Sequence, residues 1–176
     1  TDSERMAMPC SSSIDKSSFM TIAFIGLGSN LGNRRRHIVV AAAKLAERCG
    51  DVLSLSQMYE TKPWGFDSSN LFLNAVVKLR TELSPENLLE QLKQIEVEAG
   101  RKEAEDHVYH DRPIDLDILL YGDQILKTDR LTIPHPLMQQ RRFVMEPLAE
   151  IAPTVIHPVL KMTMNEILKS LPDSDE

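Results

Sequence analysis

The 176 residues include only two cysteines, Cys10 and Cys49, and no Cys-x-x-Cys pair. That excludes a disulfide framework and a cysteine-based zinc site as organising features. There is one tryptophan, and aromatic residues make up 5% of the chain. No apolar run approaches the ~20 residues that a spanning helix requires. Positive charge is also in deficit, since 20 Lys and Arg face 26 Asp and Glu for a net charge of -6. No overall basic field therefore exists to attract nucleic acid or an anionic membrane. Any polyanion bound here has to be met by local arginines or by metal ions.

What is present, 42% hydrophobic and 26% charged residues, suits one globular domain with a real core. Residues 1–19 are Ser-rich and aperiodic, and are expected to form a flexible segment ahead of a single domain over 20–176. That segment lacks the apolar core of a secretory signal, and Asp2, Glu4 and Asp15 argue against an organelle transit peptide. A soluble, reducing, cytoplasmic setting is expected. The chain starts at Thr1 rather than at methionine, which fits a processed product and one piece of a longer polypeptide alike.

Periodicity then orders the elements. "TIAFIGLG" (21–28) has the β-branched and aromatic content of a strand, and the following "SNLGN" supplies turn residues. Asn33 is an N-cap candidate for a helix whose inward face reads Ile38, Val39, Ala42, Leu45, Ala46 and Cys49, with Gly50 as its stop. "VLSLSQMYE" (52–60) and "LFLNAVVKLRT" (71–81) read as the second and third strands around a loop. Ser84 and Pro85 open a second helix with Leu88, Leu89, Leu92, Ile95 and Ala99 inward, closed by Gly100. "PIDLDILLYG" is the fourth strand. The order βαββαβ specifies an α+β, ferredoxin-like antiparallel sheet with helices on one face. A short hairpin, a helix near 143–151 and a helix with a Thr163/Glu166 capping box follow.

Strand alternation separates two sets of side chains. Ile114, Leu116, Ile118 and Leu120 point to the helices, whereas Asp115 and Asp117 share the open face. The third strand repeats the division, with Leu73, Ala75, Val77 and Leu79 inward and Phe72 and Asn74 outward. An exposed sheet face with solvated charges and a ligand site both fit this pattern. Two like charges at i and i+2 repel, and a divalent cation resolves that conflict. One or two carboxylates completed by water and substrate phosphates describe a magnesium site. Arg112, Arg130, His135, Arg141, Arg142 and Phe143 lie in the adjoining segments, and arginine forks match phosphate oxygens. "GLGSNLG" is a poor dinucleotide fingerprint, because its third glycine is one position late and no acidic residue closes a βαβ unit about 20 residues on. Gly28, Ser29 and Asn30 are expected to make a tight strand-to-helix turn.

Six stretches in sequence, "GLGSNLG", "YETKPWG", "FLNAV", "IEVEAGR", "RPIDLDILLYG" and "LTIPHPLMQQRRFVMEPLAEIAP", resemble the 6-hydroxymethyl-7,8-dihydropterin pyrophosphokinase family of folate biosynthesis. The resemblance runs from about Thr21 to Pro153. It implies diphosphate transfer from ATP to the hydroxymethyl pterin, with AMP as co-product and two Mg2+ ions held by Asp115 and Asp117. It further implies a catalytic set of Arg101, Arg112, Asp115 and Asp117. Glu96, Arg112, Ile118, Arg130, Thr132, His135 and Arg141 would contact ATP. Phe72 and Phe143 would sandwich the pterin, Asn74 would read its edge, and Thr61, Lys62 and Trp64 would line the pocket. Read without the resemblance, Glu96 is a plain exposed helix carboxylate.

The segment 101–112, "RKEAEDHVYHDR", departs from the family pattern. Tyr109 stands near a usual tryptophan, His110 and Asp111 replace Gly-Pro, and Glu103, Glu105 and Asp106 bring negative charge. It is expected to act as a lid over the site. A nucleotide-binding module without transfer activity and a different Asp-x-Asp transferase using nucleotide-sugar are the competing readings. The partners expected are small molecules, with fusion to or association with neighbouring folate-pathway enzymes allowed.

Overall fold

Among the described residues, four strands and two helices are formed between Thr21 and Glu98. The computed structural model describes residues 20–61, 71–100 and 113–172. In chain order the elements are β1 (Thr21–Ser29), α1 (Arg34–Arg48), β2 (Gly50–Leu55), β3 (Tyr59–Thr61), β4 (Phe72–Thr81), α2 (Pro85–Glu98) and β5 (Asp115–Tyr121). Then come β6 (Leu126–Lys127), β7 (Thr132–Ile133), a 3-10 turn at Met138–Gln140, α3 (Arg142–Ile151) and α4 (Met164–Ser170). The sheet order is β2-β4-β1-β5, every pairing is antiparallel, and β3 extends the β2 side of β4. This is the α+β, ferredoxin-like arrangement expected from the element order. Residues 1–19 and the segment 101–112 lie outside the described residues.

Local chemistry sets the element ends. The Asn33 side chain accepts the Arg36 amide at 3.1 Å, and Ser84 accepts that of Asn87 at 3.1 Å with Pro85 in the first turn. Thr163 and Glu166 form the expected reciprocal box, at 2.8 and 3.1 Å. At the α1–β2 junction Gly50 has φ +150°, and a Cβ there would lie 2.1 Å from the Arg80 carbonyl oxygen, so only glycine fits. "VLSLSQMYE" is two strands rather than one. The buried Ser56 breaks it, its hydroxyl accepting the Val76 amide at 2.9 Å and donating to the Gln57 carbonyl at 2.8 Å.

The two faces of the sheet have separate cores. On the first, Ala23, Ile25, Leu27, Ala75, Val77 and Leu79 pack against Ile38, Leu45, Leu88, Leu92 and Ile95 of the two long helices. Ala41 is buried in α1, and the expected Val39 is 49% exposed because it falls one position off the stripe. On the second face Phe24, Val76, Leu119 and Leu120 pack against Met138, Met145, Leu148, Met164 and Ile167. Helices α3 and α4 thus cover half of a face that the sequence reading left open.

Leu120 belongs to that second core, and its assignment to the α1–α2 side is corrected. The β1–β5 register passes from Ile25↔Ile118 to Phe24↔Leu120, leaving Leu119 as an extra residue in β5. This bulge turns Leu119 and Leu120 to one face and returns Tyr121 to the other. Asp115 and Asp117 precede it and keep the face that strict alternation assigns.

Candidate active site

The half of the second face that no described helix covers carries the candidate residues, and strand register aligns them. Asn74 of β4, Gly28 of β1 and Asp115 of β5 form one cross-strand row. Asp117 pairs with Gly26 in the next row on that face, and Phe72 pairs with Thr61 at the end of β3. With strands ~4.8 Å apart, Asn74 and Asp115 stand roughly 10 Å from each other across a glycine. Gly28 and Ser29 are strand residues, not the turn that was expected.

On the β4 side, the Asn74 amide donates to Thr61 Oγ1 at 2.9 Å, which turns its carbonyl oxygen toward Gly28. Tyr59 and Gln57 are in turn held by a residue absent from the sequence-derived set. Glu150 of α3 accepts the Tyr59 hydroxyl at 2.8 Å and the Gln57 amide at 3.1 and 3.2 Å. Burial, and then the bond to Glu150, push the Tyr59 phenol up to about 12. Glu150 follows Phe143 by seven positions on α3, so both lie on one helix side. That spacing was the available signal.

On the β5 side, Glu96 reaches in from α2. It is 6% exposed, and its Oε2 accepts the Leu116 amide at 2.7 Å. The reading of Glu96 as an exposed helix carboxylate is thereby overturned. The Ile118 side chain is buried in the first core, so only its backbone faces outward from that strand.

The segment after β7 closes on β5, where the His135 amide donates to the Leu119 carbonyl at 3.0 Å. His135 Nδ1 accepts the Leu137 amide at 3.3 Å, which leaves Nε2 as the nitrogen bearing hydrogen in the neutral ring. Burial first, and then the Arg141 charge, lower its pKa to about 4, against an opposing pull from Asp115. His135, Arg141 and Asp115 thus lie within electrostatic reach of one another. The Arg141 guanidinium carbon is 5.6 Å from the centre of the Phe143 ring. Such an array of a neutral donor, a buried cation and a flat ring suits an anionic group joined to an aromatic ligand.

Three residues stand apart. Arg130 is exposed and bridges Glu90 at 2.9 Å, and Thr132 is held in the β6–β7 hairpin opposite Lys127. Arg142, grouped with the site by sequence, instead donates to the Pro172 carbonyl at 2.6 and 2.9 Å beyond α4. Lys62, Trp64, Arg101 and Arg112 lie outside the described residues.

Among the described residues no group of three or more His, Cys, Asp and Glu is placed to hold a metal ion. An all-protein cage of the zinc or calcium kind is therefore not formed there. Two half-buried carboxylates on one strand face suit a hard cation that takes its other ligands from phosphate and water, which is the habit of Mg2+. No helix among the described residues is long and apolar enough to cross a membrane.

Comparison with known proteins agrees. The family model for 7,8-dihydro-6-hydroxymethylpterin-pyrophosphokinase matches residues 24–153. A 2-amino-4-hydroxy-6-hydroxymethyldihydropteridine pyrophosphokinase of Aquifex aeolicus is 43% identical over 84% of this chain and 90% of its own length. The protein of that name from Porphyromonas gingivalis is 48% identical over 79% of this chain and 95% of its own. "Folic acid synthesis protein FOL1" of Dictyostelium discoideum is 41% identical over 86% of this chain, which spans 23% of that longer protein. In structure, Plasmodium falciparum HPPK-DHPS with pteroate superimposes with a TM-score of 0.67 at 18% identity. That match covers 85% of this chain and 42% of the other, and shows the shared fold. The chain belongs to the 7,8-dihydro-6-hydroxymethylpterin-pyrophosphokinase family.

Proposed function

We propose that this half-face, carrying Asn74, Gly28 and Asp115, is where this chain transfers diphosphate from ATP to 6-hydroxymethyl-7,8-dihydropterin, giving AMP and the pterin diphosphate for folate biosynthesis. The observation that carries the placement is the row Asn74–Gly28–Asp115, which sets an amide reader and a carboxylate on one face of the sheet. The pterin hydroxymethyl oxygen bonds to the β-phosphorus of ATP as the bond from that phosphorus to the α-phosphate bridging oxygen breaks. Positioning and charge neutralisation supply most of the acceleration in such a transfer.

Phe72 and Phe143 stack on the pterin, and the Asn74 carbonyl, fixed by the Thr61 bond, accepts from its edge. Thr61, Lys62 and Trp64 complete that pocket. His135 donates to phosphate through Nε2, and Arg141 adds charge. Arg130, now paired with Glu90, and Thr132 are assigned to ATP along with Glu96 and the Ile118 backbone. Arg101 and Arg112 are assigned to the phosphates. Asp115 and Asp117 would hold two Mg2+ ions, whose charge would offset that of the phosphates and favour ionisation of the attacking alcohol. We assign no residue of this chain as an obligatory base.

Residues 20–176 are proposed to act as one domain, since the family match and the α4 contribution to the second core both fall inside it. A cytoplasmic setting, and fusion or association with other folate enzymes, extend the reading. The second is supported by relatives in which this region is one part of a longer chain. Incubation with ATP, Mg2+ and the hydroxymethyl pterin tests the function. AMP is expected only when pterin is present. Nucleotide binding without AMP, or AMP formation indifferent to pterin, contradicts it.

A further inference from the structure

The second face of β1 reads Phe24, Gly26 and Gly28, because Ala23, Ile25 and Leu27 pack in the first core. Glycine inside a strand weakens it, through backbone entropy and lost packing. Neither Gly26 nor Gly28 is among the positive-φ glycines, so backbone conformation does not require either one. Space is the remaining reason, and it separates the two. At Gly26 a Cβ would sit 3.5 Å from the Leu119 side chain, an ordinary contact that alanine accepts. At Gly28 it would sit 3.1 Å from Asn74 Oδ1 and 3.4 Å from Phe72 Cδ1.

Asn74, the closer of the two, has little room to yield, whereas the half-buried Phe72 ring would be met at an ordinary contact distance. Asn74 is 7% exposed and its amide nitrogen is tied to Thr61 Oγ1 at 2.9 Å. Moving its carbonyl away from β1 means breaking that bond or rotating the amide. The Phe72 ring lies over Gly28, with Cε1 3.7 Å from the same point. The structure assigns Gly28 the role of a positioning residue. Its missing side chain seats the Asn74 carbonyl against β1, in register with Asp115, and so sets how the pterin edge is held relative to the carboxylates. This rests on the proposed reading of Asn74 and Phe72 as pterin contacts.

The test compares Gly28→Ala, Gly26→Ala, Asn74→Ala and the Gly28→Ala/Asn74→Ala double variant with the parent chain. Dissociation constants are measured for the hydroxymethyl pterin and, separately, for Mg2+ with a non-hydrolysable ATP analogue. A displacement of a few tenths of an ångström in a positioned contact is expected to weaken pterin binding by ~10-fold in Gly28→Ala. The ATP analogue should bind within about twofold of the parent, and Gly26→Ala should match the parent for both ligands. Because Gly28 acts through Asn74, the double variant should bind pterin no more than about twofold worse than Asn74→Ala alone. If Gly28→Ala fails to fold, the double variant, relieved of the shortest contact, is expected to fold and to meet that same criterion. Parent-like pterin binding in Gly28→Ala overturns the assignment. So do equal losses for both ligands, effects that simply multiply in the double variant, or a double variant that does not fold. Unchanged pterin binding in Asn74→Ala strikes instead at the underlying reading of the pocket.

Discussion

Glu96 Oε2 accepts the Leu116 amide at 2.7 Å, which fastens α2 to the peptide between the two site carboxylates. Among the described residues β5 is an edge strand, so no second strand pairs with this amide. A buried amide left without an acceptor costs ~1–3 kcal/mol. Glu96→Ala should therefore lower unfolding stability by about that amount and reduce transfer, while Glu96→Gln, which keeps an acceptor, should recover most of the stability. Urea unfolding and AMP formation measured on both variants decide it. Equal stability of parent and alanine variant would remove Glu96 from this role.

The Glu150 clamp predicts a substrate-selective defect. Glu150→Ala releases both Tyr59 and Gln57, and with them the strand that orients Thr61 and Asn74. KM for the pterin should rise ~10-fold with KM for ATP little changed. Tyr59→Phe, which removes one of these bonds, should show a smaller shift in the same direction. Parallel rises in both KM values would point to general loosening instead.

His157 makes stability pH-dependent. It is buried, its Nδ1 accepts the Val159 and Leu160 amides at 3.2 and 3.1 Å, and burial lowers its pKa from the ordinary 6.5. The folded state binds this proton less readily than the unfolded state. The stability contribution is therefore full above 6.5 and is lost as pH falls from there through the lowered folded value. The melting temperature of the parent should drop more steeply from pH 7 to 5 than that of His157→Asn, whose amide oxygen can replace the acceptor. Superimposable pH profiles would contradict this.

Much of the fold was legible because its signals are local. Alternation placed Phe72, Asn74, Asp115 and Asp117 on the right face, and Asn33, Ser84 and Thr163 marked true helix starts. The Leu119 bulge was not legible, since an all-apolar "ILL" run gives alternation nothing to register. The covering of the second face by α3 and α4 was missed for a related reason. Their packing partners Phe24 and Val76 sit among continuous hydrophobic residues that name no side. Arg142 and Arg141 are adjacent and chemically alike, so sequence could not tell that only Arg141 turns toward Phe143 while Arg142 caps the chain beyond α4. Glu96 read as surface charge and Glu150 drew no reading, because the groups that donate to them are main-chain amides and a phenol, none of which composition reveals.

The carboxylate pair should be separable from folding. Asp115→Asn and Asp117→Asn leave both cores untouched, so unfolding midpoints should stay close to the parent. Transfer should fall by at least ~10²–10³-fold in each, the range for losing a preorganised charge-stabilising group. Activity and stability falling together would mark the pair as structural.

The most direct measurement is a crystal of the chain with Mn2+ and a non-hydrolysable ATP analogue, read by anomalous scattering. Two peaks are expected, each about 2.2 Å from carboxylate oxygens of Asp115 or Asp117 and shared with the analogue's phosphates. Metal peaks held by other groups, with both carboxylates turned elsewhere, would contradict the account at its centre.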